Sequence, residues 1–161
     1  MQMDKIFRKI NKVVNSGILI KGIYFLPNNG ATEEEIKLTN KTLPHSLSLE
    51  YQQFLKYWNG INLDIIRLFG CGNVEPPLSN LLENQFDYNN KGLVIIGSDP
   101  AGFLYAENKD GEILSIDTDG GEFHTVADNF TDFICDYLFG VHAHEFAGED
   151  WLNELKDHQL I

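Results

Sequence analysis

The sequence predicts an α+β fold: an antiparallel β-meander sheet flanked by N-terminal and C-terminal helices, in a single domain spanning 1–161. Three observations carry this. Apolar residues recur at three- and four-residue spacing near both ends of the chain, which is helical periodicity. From Gly92 onward, strand-like segments alternate with turn residues about every nine to ten positions, which is an antiparallel signal. No repeat, low-complexity tract or linker divides the chain, and helices followed by strands and then helices make one layered domain.

Residues 3–16 read as an amphipathic helix, with Met3, Ile6, Phe7, Ile10, Val13 and Val14 on one stripe and Gly17 placed to end it. The segment "ILIKGIYFLPNNG" (18–30) is β-branched and aromatic, and reads either as a short strand or as an extended connector. Thr32 with Glu35 three residues later is a capping box, and three successive glutamates favour a helix start there. Leu43-Pro44 breaks that helix. Ser48 then caps "LEYQQFLKYWNG", with Leu47 as a staple residue, Tyr51, Phe54, Leu55 and Trp58 on the apolar stripe, and Asn59-Gly60 at its end. "DIIRLFG" reads as a strand. Residues 71–91 are turn-rich, with one short helix near Leu78–Phe86.

The meander follows: "GLVIIGS", the turn "DPAG", "FLYAE", the turn "NKDG", "EILSID", the turn "TDGG", and "EFHTVA". Four-residue loops at "NKDG" and "TDGG" would set Glu107 opposite Glu112 and Asp117 opposite Glu122. Phe103, Tyr105, Leu114, Ile116 and Phe123 would then share an apolar face for the helices to cover. Asp128 is read as the cap of "NFTDFICDYLFG", a helix with Phe130, Phe133, Ile134, Tyr137 and Leu138 on one stripe and Gly140 at its stop. A last helix over about 148–158 carries Trp151, Leu152 and Leu155.

With 161 residues, 43% hydrophobic and 12% aromatic, the chain can bury a core without disulfide or metal staples. Cys71 and Cys135 stand far apart with no CxxC, which suggests reduced thiols in a cytoplasm, although one disulfide between them is also open. The polar start and the lack of a long apolar run argue against a secretory signal and a membrane span. The net charge of −12 is lopsided. Residues 1–80 hold nine Lys/Arg against seven Asp/Glu, a balance of +2, whereas residues 81–161 hold three against seventeen, a balance of −14. Such a field repels nucleic acid and membrane headgroups and steers a basic protein inward; equally, it can serve solubility alone.

The stretch "ILSIDTDGGEFHTVADNF" (113–130) concentrates this charge. It fails as a calcium loop: counted from Asp117, position 5 is Gly121, position 6 is Glu122 and position 12 is Asp128. His142-Ala143-His144-Glu145 offers an HxH pair without a third ligand at recognised spacing, so a solvated loop is the simpler reading. There is no GxSxG elbow, Walker A motif or GxGxxG. Cys71 in "FGCGN" is a thiol that a hydrolase could use, and paired carboxylates would suit a glycosidase, but no aromatic sugar platform accompanies them. Aromatic residues are not interleaved with basic ones, against nucleic-acid binding. No cofactor or metal is expected. What remains is a carboxylate cluster at a hairpin tip, either idle in water or completed by a cationic partner.

Several stretches together resemble the SUKH superfamily, shared by cell-wall-synthesis regulators of the Smi/Knr type and bacterial immunity proteins. In "GATEEEIKLTNKTLPHSLSLEYQQFLKYWNGI" these are Glu34, Ile36, Leu43, Pro44, Tyr51, Phe54, Leu55, Asn59 and Gly60. In "IIGSDPAGFLYAENKDGEILSIDTDGGEFHTVADNFTDFICDYLFG" they are the glycine-rich turn, the hairpin strands and Phe130 and Phe133. The resemblance covers roughly residues 30–140 and rests on order and spacing. The family's glutamate before Leu-Pro is replaced around Thr39–Asn40, and two extra residues stand between Pro44 and Tyr51. The resemblance implies an α+β fold and, for bacterial members, a non-enzymatic protein that binds and blocks a cognate toxin, often a nuclease. It implies no catalytic residues. Together with the charge, it makes Asp99, Asp117, Asp119, Glu122 and His124 the expected contacts for a basic toxin domain. A regulatory or scaffold module without a toxin partner is the alternative.

Overall fold

A computed structural model describes residues 2–20, 24, 26 and 29–161. The chain order is α1 (Gln2–Asn15), α2 (Glu33–Thr42), α3 (Leu49–Tyr57), β1 (Ile61–Asn62), β2 (Arg67–Leu68), β3 (Val94–Ser98), β4 (Phe103–Glu107), β5 (Ile113–Asp117), β6 (Phe123–Ala127), α4 (Phe130–Asp132), α5 (Ala143–Ala147) and α6 (Glu149–Asp157). Between β2 and β3 lie two 3₁₀ turns, Leu82–Asn84 and Tyr88–Lys91. Helix α4 runs on as a π-helical stretch, Phe133–Leu138.

The predicted α+β meander stands. Among the described residues the sheet has six strands, all antiparallel and in sequence order. The capping box Thr32/Glu35 forms with both reciprocal bonds, and the Ser48 hydroxyl accepts from the Tyr51 N–H at 3.1 Å. Tyr51, Phe54, Leu55 and Trp58 are all buried, as their spacing requires. Gly17 ends α1 with a positive φ of 81°. The side chain of Met3, and residues 21–23, 25, 27 and 28 of the strand-or-connector segment 18–30, fall outside the described residues.

Several local expectations are corrected. "DIIRLFG" (64–70) is a strand only at Arg67–Leu68, β2; Asp64, at φ 69°, belongs to the turn that leads from the two-residue β1 just before it. The short helix expected near Leu78–Phe86 is a single 3₁₀ turn, Leu82–Asn84, and a second, Tyr88–Lys91, follows beyond that span. Asn129, not Asp128, caps α4: its side chain accepts from the Asp132 N–H at 2.8 Å while its backbone is extended. The HxH segment is not a loop, because α5 begins at Ala143.

The largest correction is a one-residue slip between β4 and β5. Asn108 stands opposite Glu112, and its side-chain oxygen accepts from the Asp110 and Glu112 N–H groups at 3.0 Å each. The loop therefore closes over three residues, with Gly111 left-handed at φ 83°, and Glu107 pairs with Ile113 rather than Glu112. A slip of one residue exchanges the faces. Tyr105, Glu107, Ile113 and Ser115 face the helices, where Tyr105 meets Phe133, Tyr137 and Phe146 at ring distances of 5.3, 6.5 and 6.4 Å. Leu104, Ala106, Leu114, Ile116 and Phe123 form the opposite face.

Glu107, fully buried by this slip, receives two bonds from the α3 N-terminus: Ser48 N–H to Oε1 at 2.9 Å and Ser48 hydroxyl to Oε2 at 2.6 Å. A carboxylate at a helix N-terminus is electrostatically favoured, so β4 and α3 are tied end to side. Glu50 makes the corresponding link from α3 to α4, accepting from the Thr131 N–H at 2.8 Å and from its hydroxyl.

Candidate partner-binding surface

The β3–β4 and β5–β6 turns lie at the same end of the sheet, and the Thr118 hydroxyl bonds the Gly102 carbonyl at 2.9 Å to join them. Asp99 opens the first turn. Its Oδ1 accepts from the Ala101 and Phe103 N–H groups at 2.9 and 3.1 Å, and its Oδ2 accepts from the Tyr105 hydroxyl at 2.7 Å. This half-buried carboxylate is spent on holding the turn and anchoring Tyr105. Burial, reinforced by Asp99, pushes the Tyr105 hydroxyl far up, so it stays a donor. Tyr137 beside it is pushed up to about 12, mainly by burial.

The second turn follows the register read from the sequence. Asp117 donates its N–H to the Glu122 carbonyl at 2.8 Å, and Ile116 and Ser115 pair with Phe123 and His124. Asp117, Glu122 and His124 therefore share one sheet face beyond the helices. The Asp117 Oδ1 accepts from the Asp119 N–H at 2.9 Å, an Asx turn that shapes the loop, while Gly121 is left-handed at φ 72°. Asp119, Glu122 and His124 are exposed, and Asp117 is half-buried. All five expected contacts thus gather at one end, but they differ in kind. Asp99 and Asp117 build the turns; Asp119, Glu122 and His124 face solvent.

Among the described residues, ion pairs form only between Lys56 and Glu33 and between His142 and Asp136. None of the four turn-end carboxylates has a cation partner there, so their charge is not locally compensated.

The sequence reading missed two neighbouring features. Asp128, Asp132, Asp136, His142 and Glu145 line a shallow groove of about 290 Å³ beside β6. His142 Nδ1 meets Asp136 Oδ2 at 2.8 Å, and this bond holds the imidazole above the ordinary histidine value. Spacing gave no sign of it, because the two residues lie on opposite sides of the chain reversal at Gly140. The second feature is an apolar groove against the opposite face of the sheet, walled by Phe86 and Tyr88.

Cys71 is buried and its thiol is pushed up to about 11, chiefly by that burial, which leaves it protonated rather than nucleophilic at neutral pH. Both cysteines are free. The His142 and His144 rings lie 6.3 Å apart and tilted, and among the described residues no three His, Cys, Asp or Glu could hold a metal ion together. No helix among the described residues is long and apolar enough to cross a membrane.

Residues 30–136, more than half the chain, match the model of the SMI1 / KNR4 family (SUKH-1). The matched segment runs from α2 into the π-helical stretch and contains both turns and all five expected contacts. No curated protein matches the chain.

Proposed function

The chain belongs to the SMI1 / KNR4 family (SUKH-1), and from that membership we propose that it is a non-enzymatic, cytoplasmic immunity protein that neutralises a basic, nuclease-type toxin. The observation that carries the reading is the turn end of the sheet. There Asp117, Asp119 and Glu122 stand within one hairpin, without a cation partner among the described residues. A nuclease cleft carries positive charge for phosphate. Carboxylates fixed on a rigid hairpin speed encounter with such a cleft and select it over neutral surfaces. Asp119, Glu122 and His124 make the contacts in this reading, and Asp99 and Asp117 hold them in place.

The test is complex formation with a basic, nuclease-type toxin domain of the same host, sought first among the genes beside this one. The double variant Asp117→Lys with Glu122→Lys lowers affinity by about tenfold or more, in line with coupling energies measured for close interfacial charge pairs. Unchanged affinity in that variant sinks the chosen surface. A native-host partner from cell-wall synthesis, with no toxin, would instead favour the regulatory module.

A further inference from the structure

β6 is the outer strand of the sheet: it pairs with β5 on one side and, among the described residues, with no strand on the other. The opposite edge, β1, is only two residues long, which blunts it. β6 has five residues, and Phe123, His124 and Thr125 are exposed. It holds no lysine or proline, the residues that commonly guard an edge, and its one irregularity lies beyond Thr125, where the pairing with β5 shifts. The ladder decides which backbone groups are free. The Asp117 N–H bonds the Glu122 carbonyl, so by antiparallel alternation Ile116 and Phe123 form an unbonded pair, Ser115 and His124 a bonded one, and Leu114 and Thr125 an unbonded one. The N–H and C=O groups of Phe123 and Thr125 therefore point away from the sheet.

The shallow groove of about 290 Å³ is lined by Thr125, Val126 and Ala127 of this strand, and also by Asp128, Asp132, Asp136, His142 and Glu145. His142 is its one base and is engaged by Asp136 at 2.8 Å, so Asp128, Asp132 and Glu145 have no cation partner among the described residues. Lys5 and Lys9 of α1 line a neighbouring groove with Asp132 and Asp136 and form no ion pair with them. Two observations thus define the occupant. Free N–H and C=O groups at two-residue intervals match an extended backbone, which can add to the edge as a strand. Carboxylates beside that edge call for cations on the added segment. A second copy pairing β6 against β6 would instead bring these acids toward each other, which is unfavourable.

We propose that β6 receives an extended segment of a basic protein partner as an added strand. Phe123 and Thr125 supply the backbone bonds, and lysine or arginine side chains of the segment meet Asp128, Asp132 and Glu145. The proposal rests on the reading that the partner is a basic protein, and it adds the mode of docking.

The experiment uses the full-length chain, isotopically labelled for amide NMR, and two defined probes: the peptides Lys-Val-Lys-Thr-Lys-Val and Glu-Val-Glu-Thr-Glu-Val. The lysine peptide is expected to bind about tenfold tighter or more, and at saturation to slow hydrogen exchange of the Phe123 and Thr125 amides. Thr125→Pro removes one outward N–H at an edge position where proline is tolerated, and leaves the β5 bonds of His124 in place. It lowers affinity for the lysine peptide about tenfold. Asp128→Lys with Glu145→Lys lowers it by a similar factor without touching the strand. Lysine-peptide binding that leaves both amides unprotected and ignores Thr125→Pro overturns the edge while leaving the basic-partner reading intact. Equal binding of the two peptides overturns the basic occupant. Binding of neither overturns the docking mode, and the toxin titration then decides the basic-partner reading separately. Protection of Phe123 and Thr125 that grows with protein concentration in the absence of peptide assigns the edge to a second copy and overturns the proposal.

Discussion

Asp117 and Glu122 stand directly opposite one another across the β5–β6 hairpin, joined by a 2.8 Å backbone bond. Like charges so placed destabilise a hairpin by roughly 0.2–1 kcal/mol. Glu122→Lys converts the repulsion into attraction and leaves the Asx turn at Asp117 intact. The variant therefore gains stability of about 0.5 kcal/mol in urea unfolding at low salt, with the gain shrinking as salt rises. A stability loss would show that the two carboxylates are not in opposition. A residue that is better for the fold and worse for binding is the usual mark of a functional surface.

Phe86 is a second residue that costs the fold. Its left-handed backbone costs on the order of 1–2 kcal/mol in a residue with a β-carbon, and its ring is largely in solvent. Phe86→Asn should raise the urea midpoint by an amount equivalent to about 1 kcal/mol. A lowered midpoint would mean that the ring packs inward and serves only the fold.

Glu107 gives a pH prediction. Burial holds its carboxyl above the ordinary glutamate value, outweighing the two Ser48 bonds that pull it down. With the native value raised above the unfolded one, its contribution to stability is full at pH below the unfolded value and is lost as pH rises through the native value. Glu107→Gln keeps the shape and removes the titration. The stability difference, variant minus wild type, should therefore increase with pH from the acid range toward neutrality, as followed by urea unfolding across that window. A difference independent of pH would contradict the shift.

Gly140 tests the turn that carries the chain from the π-helical stretch to α5. A β-carbon there would lie 2.1 Å from the Cys135 carbonyl oxygen and 2.6 Å from the Asp136 α-carbon, both backbone atoms. Gly140→Ala is expected to destabilise by about 1–3 kcal/mol or more, visible as a fall in Tm. An unchanged Tm would mean that the reversal is looser than described.

His142 should titrate above the ordinary histidine value, because its ring bonds Asp136. An imidazole NMR titration of wild type and Asp136→Asn checks this: the midpoint returns toward the ordinary value in the variant. Identical midpoints would remove the pair.

The sequence was most legible where turn chemistry is unambiguous. "TDGG" closes over four residues with Gly121 left-handed, so the β5–β6 register and the opposition of Asp117 and Glu122 followed from counting. "NKDG" has the same length, but the Asn108 side chain closes it one residue earlier. That choice carried Glu107 inside to a partner 59 positions away, which no local pattern announces. Asp128 and Asn129 are equally good caps by type; it is the Asn129 side chain that reaches the Asp132 N–H, at 2.8 Å. The two-residue strands β1 and β2 are too short for alternation to register. Of the site, the acids were visible as a charge count, whereas the inward turn of Asp99 depends on tertiary contacts.

The most direct measurement is a calorimetric titration of the proposed partner, a basic nuclease-type toxin domain from the same host, against wild type and the Asp117→Lys, Glu122→Lys double variant, over ionic strengths from about 0.01 to 1 M. The account predicts wild-type binding that weakens steeply with salt, and a double variant that binds at least about tenfold more weakly at low salt and hardly responds to it. Wild-type affinity that is indifferent to salt, or equal affinity in the two proteins, would contradict it.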